Sequence, residues 1–521
     1  MQNKVLLIGL DAATFRYIEP WLNMLPNINK LVKSGTSFKL ISTIPPLTPP
    51  AWTSMMTGKN PGKHGVFHFF ETNGKSFVNS RSNKAETLWE ILSKEGKRVI
   101  VINMPLTFPV KKVNGCMVSG FLTPDERCNF TYPKKLRDDL LKIKYRILSD
   151  LTLKGKEKYQ VAELKQSIRT RLKAALLILK EYPWDFATIV FMETDQVQHF
   201  YFKNPQCIFE IYSEIDKAIG RLISCVPKET YVIIASDHGF GARKCSVSLN
   251  AYFYELGILR IKSLHFITKK LLNKFLSIAF DRLNIFRKYL VLLLQKLYHN
   301  MPVGKAKEVI ENIIIHLKSK SYIEFLPHDF NLSKSLAYSP FPWFDHTNYG
   351  IVKLLSKSKK VKKWLNKKIY ELVDPKNGES LVKNIYDRKH VYWGKYATLG
   401  PDLIIEFKEN CSGNYSFYSN DLWFREFDDG MHYREGIAIF YGPSIKKEAN
   451  FNSRAMIWDI CPTILHIFNL PIPKDMDGKV LMEIFKPESE IAKRKPKYIE
   501  RRKLEEEIKL KIKRLKELGR I

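Results

Sequence analysis

Five short stretches carry side chains that could do chemistry together: Asp11 closing VLLIGLD, Thr48 within IPPLTPPAW, Asp195 and His199 in TDQVQHF, Asp237 and His238 in SDHGF, and His432 in DDGMHYREG. Asp195 and His199 stand four residues apart, so a helical turn presents both on one face, where they can share a metal ion. Asp237 and His238 are adjacent, and adjacent side chains converge on one ion only at a turn, which Gly239 permits. Each alone has an ordinary reading, since an Asp after an apolar run caps a helix and a lone His fills a core. Together they differ. Three Asp and three His with one hydroxyl are about what two cations roughly 4 Å apart require, one to generate and hold a nucleophile and one to hold the opposing oxygen of an in-line displacement.

Thr48 sits between two pairs of prolines, Pro45–Pro46 and Pro49–Pro50. These fix φ and remove backbone donors, which excludes a helix interior or a central strand and makes a stiff loop. The spacing predicts a helix over Ala51 to Thr57, closed by Gly58, with Thr48 just upstream of its N-terminus, where an anion is held. Lys59, Lys63 and His64 in GKNPGKHG are candidate contacts to a substrate phosphate. The plainer reading of that segment is a Gly/Pro turn with solvated lysines.

The elements that must position these residues are legible as apolar runs: VLLIGL (5–10), RVIVIN (98–103), FATIVFM (186–192), YVIIAS (231–236), DLIIEF (402–407) and GIAIFYG (436–442). Runs apolar on both faces, with helical patterns between them, are what buried parallel strands look like, so the fold class is α/β. Asp11, Glu193 with Asp195, and Asp237 with His238 follow three of the runs at the carboxyl edge, beyond which open α/β sheets bind ligands. The rhythm breaks after Ile261. Between Ile261 and Lys320 there are 12 Lys/Arg against three acids in basic amphipathic patterns, which predicts an inserted, mainly helical cap. DPKNGESLVKNIYDR (374–388) reads as a turn and hairpin returning to the core. The expected segmentation is a catalytic core over 1–261, cap and hairpin over 262–390, core again over 391–485, and a charged C-terminal helix over 486–521 suited to oligomer or partner contact.

Composition bounds the function classes. At 521 residues and 45% hydrophobic the chain is globular, and 85 basic against 53 acidic residues (formal net charge +32) favour acidic partners or, as plainly, a lysine-rich solvated surface. Seven scattered cysteines without a CxxC pair argue for a reducing cytoplasm and against a cysteine zinc site. The N-terminal apolar run is too short for a signal peptide, and no apolar window reaches membrane-spanning length. No nucleic-acid-binding module is recognisable, which disfavours such a polymer as partner.

The ordered set Asp11, TPPAWTSMMTGKNPGKHG, TDQVQH, SDHGF and GMHYREG resembles the alkaline phosphatase superfamily, in particular its type I phosphodiesterase/nucleotide pyrophosphatase family, over residues 1–255 and 390–480. The resemblance implies an α/β/α sandwich around a mostly parallel sheet and two divalent ions, usually zinc, with manganese or magnesium as alternatives. It implies that Asp195, His199 and His432 bind one ion and that Asp11, Thr48, Asp237 and His238 bind the other. Thr48 matches the family's nucleophile, giving a phosphothreonine intermediate that water releases. The expected substrate is a nucleotide or another phosphodiester or pyrophosphate. Ala51 replaces the asparagine the family uses to donate to a phosphate oxygen, and Trp52 stands where a smaller polar or ring residue is common, so substrate choice does not carry over. A phosphotransferase, a phosphomonoesterase or mutase of the same superfamily, and a non-catalytic anion- or membrane-binding relative are the alternative functions. The tail RAMIWDICPTILHIFNLPIPKDMDGKVL is also common in the superfamily, and its Asp459, Asp475 and Asp477 read as structural.

Overall fold

The computed structural model of the chain describes residues 3–71, 76–149, 157–262, 330–340, 347–414, 423–447, 454–500, 512, 514 and 515. Strand after strand is buried end to end, and successive side chains point to opposite faces, so each strand feeds two cores. Val5 and Leu7, Val99 and Val101, and Phe186 and Val190 pack on one face with Trp52, Met55 and Met56 of the Thr48–Thr57 helix and with the Ile460–Ile467 helix. Leu6 and Ile8, Ile100 and Ile102, and Ala187 and Ile189 pack on the other, under the helices Pro26–Ser34, Glu157–Glu181 and Pro205–Ser224. The result is the expected α/β/α sandwich.

The nine-stranded sheet runs in the order Ala455–Met456, Thr36–Ile41, Glu435–Tyr441, Tyr231–Ala235, Val5–Leu10, Phe186–Phe191, Val99–Met104, Gly115–Ser119, Thr131–Tyr132. Val5–Leu10 lies parallel between Phe186–Phe191 and Tyr231–Ala235. The expectation that 436–442 is a parallel strand fails: Glu435–Tyr441 runs antiparallel to both neighbours, Ala438 opposite Ala235 and Phe38. A short apolar run carries no mark of direction, because burial on both faces is the same either way. The reversal brings the start of this strand, with His432 just before it, to the edge where the neighbouring Tyr231–Ala235 ends.

The chain divides into two compact units, Met1–Arg243 with Asp387–Gly400 and Asp428–Ile521, and Lys244–Tyr386 with Pro401–Phe427. Their boundaries differ from the expected 262–390 insertion. The second unit has its own sheet, ordered Val382–Asp387, Leu403–Phe407, Tyr349–Leu354, Ala337–Tyr338. DLIIEF therefore belongs there, paired antiparallel with Tyr349–Leu354, and not in the main sheet. Residues 382–387 of the expected hairpin pair into the same sheet. Leu365 and Ile369 of the Lys359–Tyr370 helix pack on its core. The basic helices expected at 263–329 lie outside the described residues. Most of the stretch expected as a C-terminal helix, 501–511, 513 and 516–521, lies outside them too; within 486–500 the chain forms a short helix, Glu490–Lys493, and a strand, Tyr498–Ile499, that pairs with Ile472–Pro473. Among the described residues no helix is long and apolar enough to cross a membrane.

Candidate metal centre

All seven residues singled out as ligands or nucleophile lie in the first unit, at the ends of four adjacent strands or in the Pro-rich loop. Asp11 follows Val5–Leu10, and Asp237 and His238 follow Tyr231–Ala235. Asp195 and His199 ride one face of the Glu193–Tyr201 helix that opens after Phe186–Phe191. Their ligand atoms meet. His199 Nε2 and His432 Nε2 are 2.8 Å apart, and each lies 3.3 Å from Asp195 Oδ1. His238 Nε2 lies 3.2 Å from Asp237 Oδ2 and 3.8 Å from Asp11 Oδ1, and its ring stacks on that of His432 with centroids 3.9 Å apart. Two sets of side chains, Asp195/His199/His432 and Asp11/Asp195/His238, each hold ligand atoms within 4.8 Å of one another. Asp195 thus reaches both sets, where the resemblance implied it for one.

The chemistry of this donor set fits divalent cations. The outer nitrogen of His238, Nδ1, faces the Gly239 carbonyl, and that of His432 faces the Pro46 carbonyl, each at 3.2 Å. A carbonyl only accepts, so Nδ1 carries the proton and the Nε2 lone pair points inward, the arrangement of metal-bound histidines. Asp11 Oδ1, Asp195 Oδ1 and Asp237 Oδ2 are buried with no hydrogen-bond partner, a costly state for carboxylates that a cation relieves. Burial, then mutual repulsion with Asp237 and Asp195, pushes the Asp11 carboxyl well above its usual range, and burial does the same to Asp237. Burial lowers His238 and His432, which keeps both neutral.

Thr48 lies in this centre, 2% exposed, its Oγ1 3.4 Å from His238 Nε2. The helix begins at Thr48 itself, after Leu47, and not at Ala51 as the spacing predicted. The two prolines fall inside the first turn, where the amides they lack would have no intrahelical partner. Pro49 and Pro50 donate nothing and the Ala51 N–H is bonded to the Leu47 carbonyl at 3.0 Å, so the Thr48 amide is what the first turn offers an anion. Gly58 closes the helix at φ +69°.

The three candidate phosphate contacts are engaged elsewhere. Lys59 pairs with Asp475, and Lys63 pairs with Asp477 at 2.6 Å. Asp477 also accepts from Asn60 and from the Trp393 indole. GKNPGKHG and the DMDG turn are thereby knotted together. Lys59 is buried and Lys63 half-buried, and carboxylates remote in sequence neutralise both. Asp459 is structural as expected, accepting from the Met456 and Lys479 amides.

His64 is buried and neutral: Nδ1 accepts from the Val66 N–H at 3.2 Å, so Nε2 donates to Ser54 Oγ at 2.9 Å. Burial, helped by Lys59, pushes it down to about 3. The unfolded chain therefore binds a proton near pH 6.5 that the folded chain refuses. This contribution is fully present above pH 6.5 and is lost at about 1.4 kcal/mol per pH unit as pH falls toward 3. A His64→Gln protein is expected to show a shallower acid limb in urea midpoint against pH, and an unchanged limb would refute the assignment.

Sequence reasoning passed over the side chains that hold the ligands in place. Thr194 Oγ1 donates to the Asp11 carbonyl at 2.6 Å and Gln198 to the Ala12 carbonyl at 3.1 Å. Ala12, at φ +56°, aims its N–H at Asp237 Oδ1, 3.1 Å away, strain of the kind stored at functional sites. Arg171, wholly buried, pairs with Glu193. The available signal was position: Thr194 and Gln198 share a helix with Asp195 and His199.

A family model described as type I phosphodiesterase/nucleotide pyrophosphatase matches residues 5–338. Ectonucleotide pyrophosphatase/phosphodiesterase family member 3 of Bos taurus is 25% identical over 279 residues, which is 50% of this chain and 28% of that protein. The match thus spans little more than a quarter of that relative's length. Among solved structures, murine ectonucleotide pyrophosphatase/phosphodiesterase 5 superposes with a TM-score of 0.50 at 13% identity, covering 93% of this chain and all of that one. The human protein of the same name gives 0.48 at 15% identity, covering 92% and 97%.

Proposed function

The chain belongs to the type I phosphodiesterase/nucleotide pyrophosphatase family, and from that premise we propose that it is a metal-dependent phosphohydrolase cleaving a phosphodiester or pyrophosphate bond through Thr48. The observation that carries the reading is the convergence of Asp11, Asp195, His199, Asp237, His238 and His432 on one buried point beside the Thr48 hydroxyl. Two divalent cations, zinc in the first instance, would be held by those six side chains and would lower the pKa of the hydroxyl and of water while offsetting phosphate charge.

The chain's own part is positional. The proline pairs and the helix start fix Thr48 Oγ1 so that it enters in line with the leaving oxygen, forming an O–P bond as the bond to the leaving group breaks. Water then attacks the phosphothreonine and returns the hydroxyl. Neutral His238, 3.4 Å away, cannot give the hydroxyl a competing proton from its inward nitrogen. The nucleotide named for the family is the substrate class to test first. The seven cysteines, all unpaired, support a reducing compartment as the place of action.

The test is a panel of aryl diesters, nucleoside polyphosphates and monoesters against protein loaded with zinc, manganese or magnesium. Diester or pyrophosphate turnover with near two metal equivalents is expected. Metal-loaded protein inert toward every diester and pyrophosphate would overturn the reading, and phosphate transferred to an added alcohol in place of water would mark a transferase.

A further inference from the structure

We propose that Trp52 is a positioning residue, whose indole N–H holds the Asp11 carboxylate in the orientation that presents its other oxygen to a divalent cation. The inference rests on the two-metal reading above and goes beyond it by naming what sets the geometry of one ligand. Trp52 Nε1 lies 2.8 Å from Asp11 Oδ2, with the indole 1% and the carboxylate 0% exposed. Oδ1 is left buried, without a hydrogen-bond partner, 3.8 Å from His238 Nε2. The last torsion of an aspartate is broad, so a carboxylate with two equivalent oxygens would not keep one of them on a cation. The indole breaks the equivalence.

The surroundings are shaped for this contact. A Cβ on Gly9 would come within 2.4 Å of Trp52 Cη2, so the strand that ends in Asp11 makes room for the ring just before it. On the other side, Trp52 follows Thr48 by four residues in one helix, which puts both on the same side of it. One helix therefore carries the hydroxyl and, a turn later, the donor that orients a ligand. The main chain of Asp11 is separately pinned by Thr194 Oγ1 at 2.6 Å, so the side-chain torsion is the freedom left for Trp52 to remove. An indole N–H only donates and does not titrate, so it suits an ionised carboxylate at any working pH.

The rival explanation is that a large core indole has merely satisfied its N–H. Ion affinity separates the two. Zinc titration calorimetry on the metal-free full chain would compare wild type, Trp52→Phe, and protein carrying 3-benzothienylalanine at position 52, which keeps the ring shape but has sulfur in place of the N–H. Wild type is expected to bind two ions. Both variants should bind one with wild-type affinity and the other about 10- to 100-fold more weakly, the benzothienyl protein melting where wild type does. A benzothienyl protein with both affinities unchanged, or with both weakened alike alongside a lowered melting temperature, would overturn the proposal. Wild type binding no zinc would instead remove the two-metal reading, and this inference with it.

Discussion

Thr48→Ala, with its metal content matched to wild type, is expected to lose diester hydrolysis by about four orders of magnitude or more, the scale seen when an enzyme loses its nucleophile. The recorded contact of the Thr48 hydroxyl is His238 Nε2 at 3.4 Å, and the hydroxyl provides no capping bond, since the helix is capped from Leu47 without a side-chain hydrogen bond. Removing it therefore costs little stability, and the prolines continue to define the loop. Thr48→Ser, which keeps the hydroxyl and loses a methyl group, should retain measurable turnover. Single-turnover assay of an aryl diester is the measurement. Alanine protein within tenfold of wild type would mean that another group attacks phosphorus.

Chelation is expected to abolish activity and to lower thermal stability together, both restored by adding the ion back. Asp11, Asp195 and Asp237 are three carboxylates around one buried point, with Asp11 and Asp237 0% exposed. Their repulsion and unmet hydrogen-bonding capacity oppose folding until cations occupy the centre. Occupancy at a hundred times Kd stabilises by about 2.7 kcal/mol per ion. The pH dependence follows in sign. Because burial raises the Asp11 and Asp237 carboxyls, protons compete with the ion for these groups above the usual carboxylate range, so metal affinity should fall as pH is lowered. Differential scanning calorimetry of metal-free and reconstituted protein across pH checks both claims. A melting temperature indifferent to zinc, with zinc shown to bind, would contradict them.

The sandwich was legible because VLLIGL, FATIVFM and YVIIAS are apolar on both faces, and only a covered sheet uses such strands. Asp11, Asp237 and His238 were legible for the same reason, since the end of a buried strand is a place, not merely a residue. DLIIEF was misplaced because a short, mostly apolar run looks the same in the main sheet and in the second unit's own. Lys59 and Lys63 misled because their partners, Asp475 and Asp477, lie 416 and 414 residues away, and nothing local announces a charge that is already matched. Trp52 stood in plain view, four residues after Thr48. Its meaning depended on a carboxylate 41 residues away.

The sequence by itself determined the fold class, because unbroken apolar runs that end in Asp are local facts that survive without coordinates, and its ordered motifs carried the family resemblance that supplied the roster of side chains. The tertiary structure decided how the roster is used. It reversed the strand after His432 and so brought that imidazole beside Asp195, set Asp195 between two ligand groups, withdrew two lysines into ion pairs, and turned an indole toward Asp11. Each of these depends on contacts between residues far apart along the chain, where direction and pairing are set by which surfaces bury together and not by any neighbouring residue.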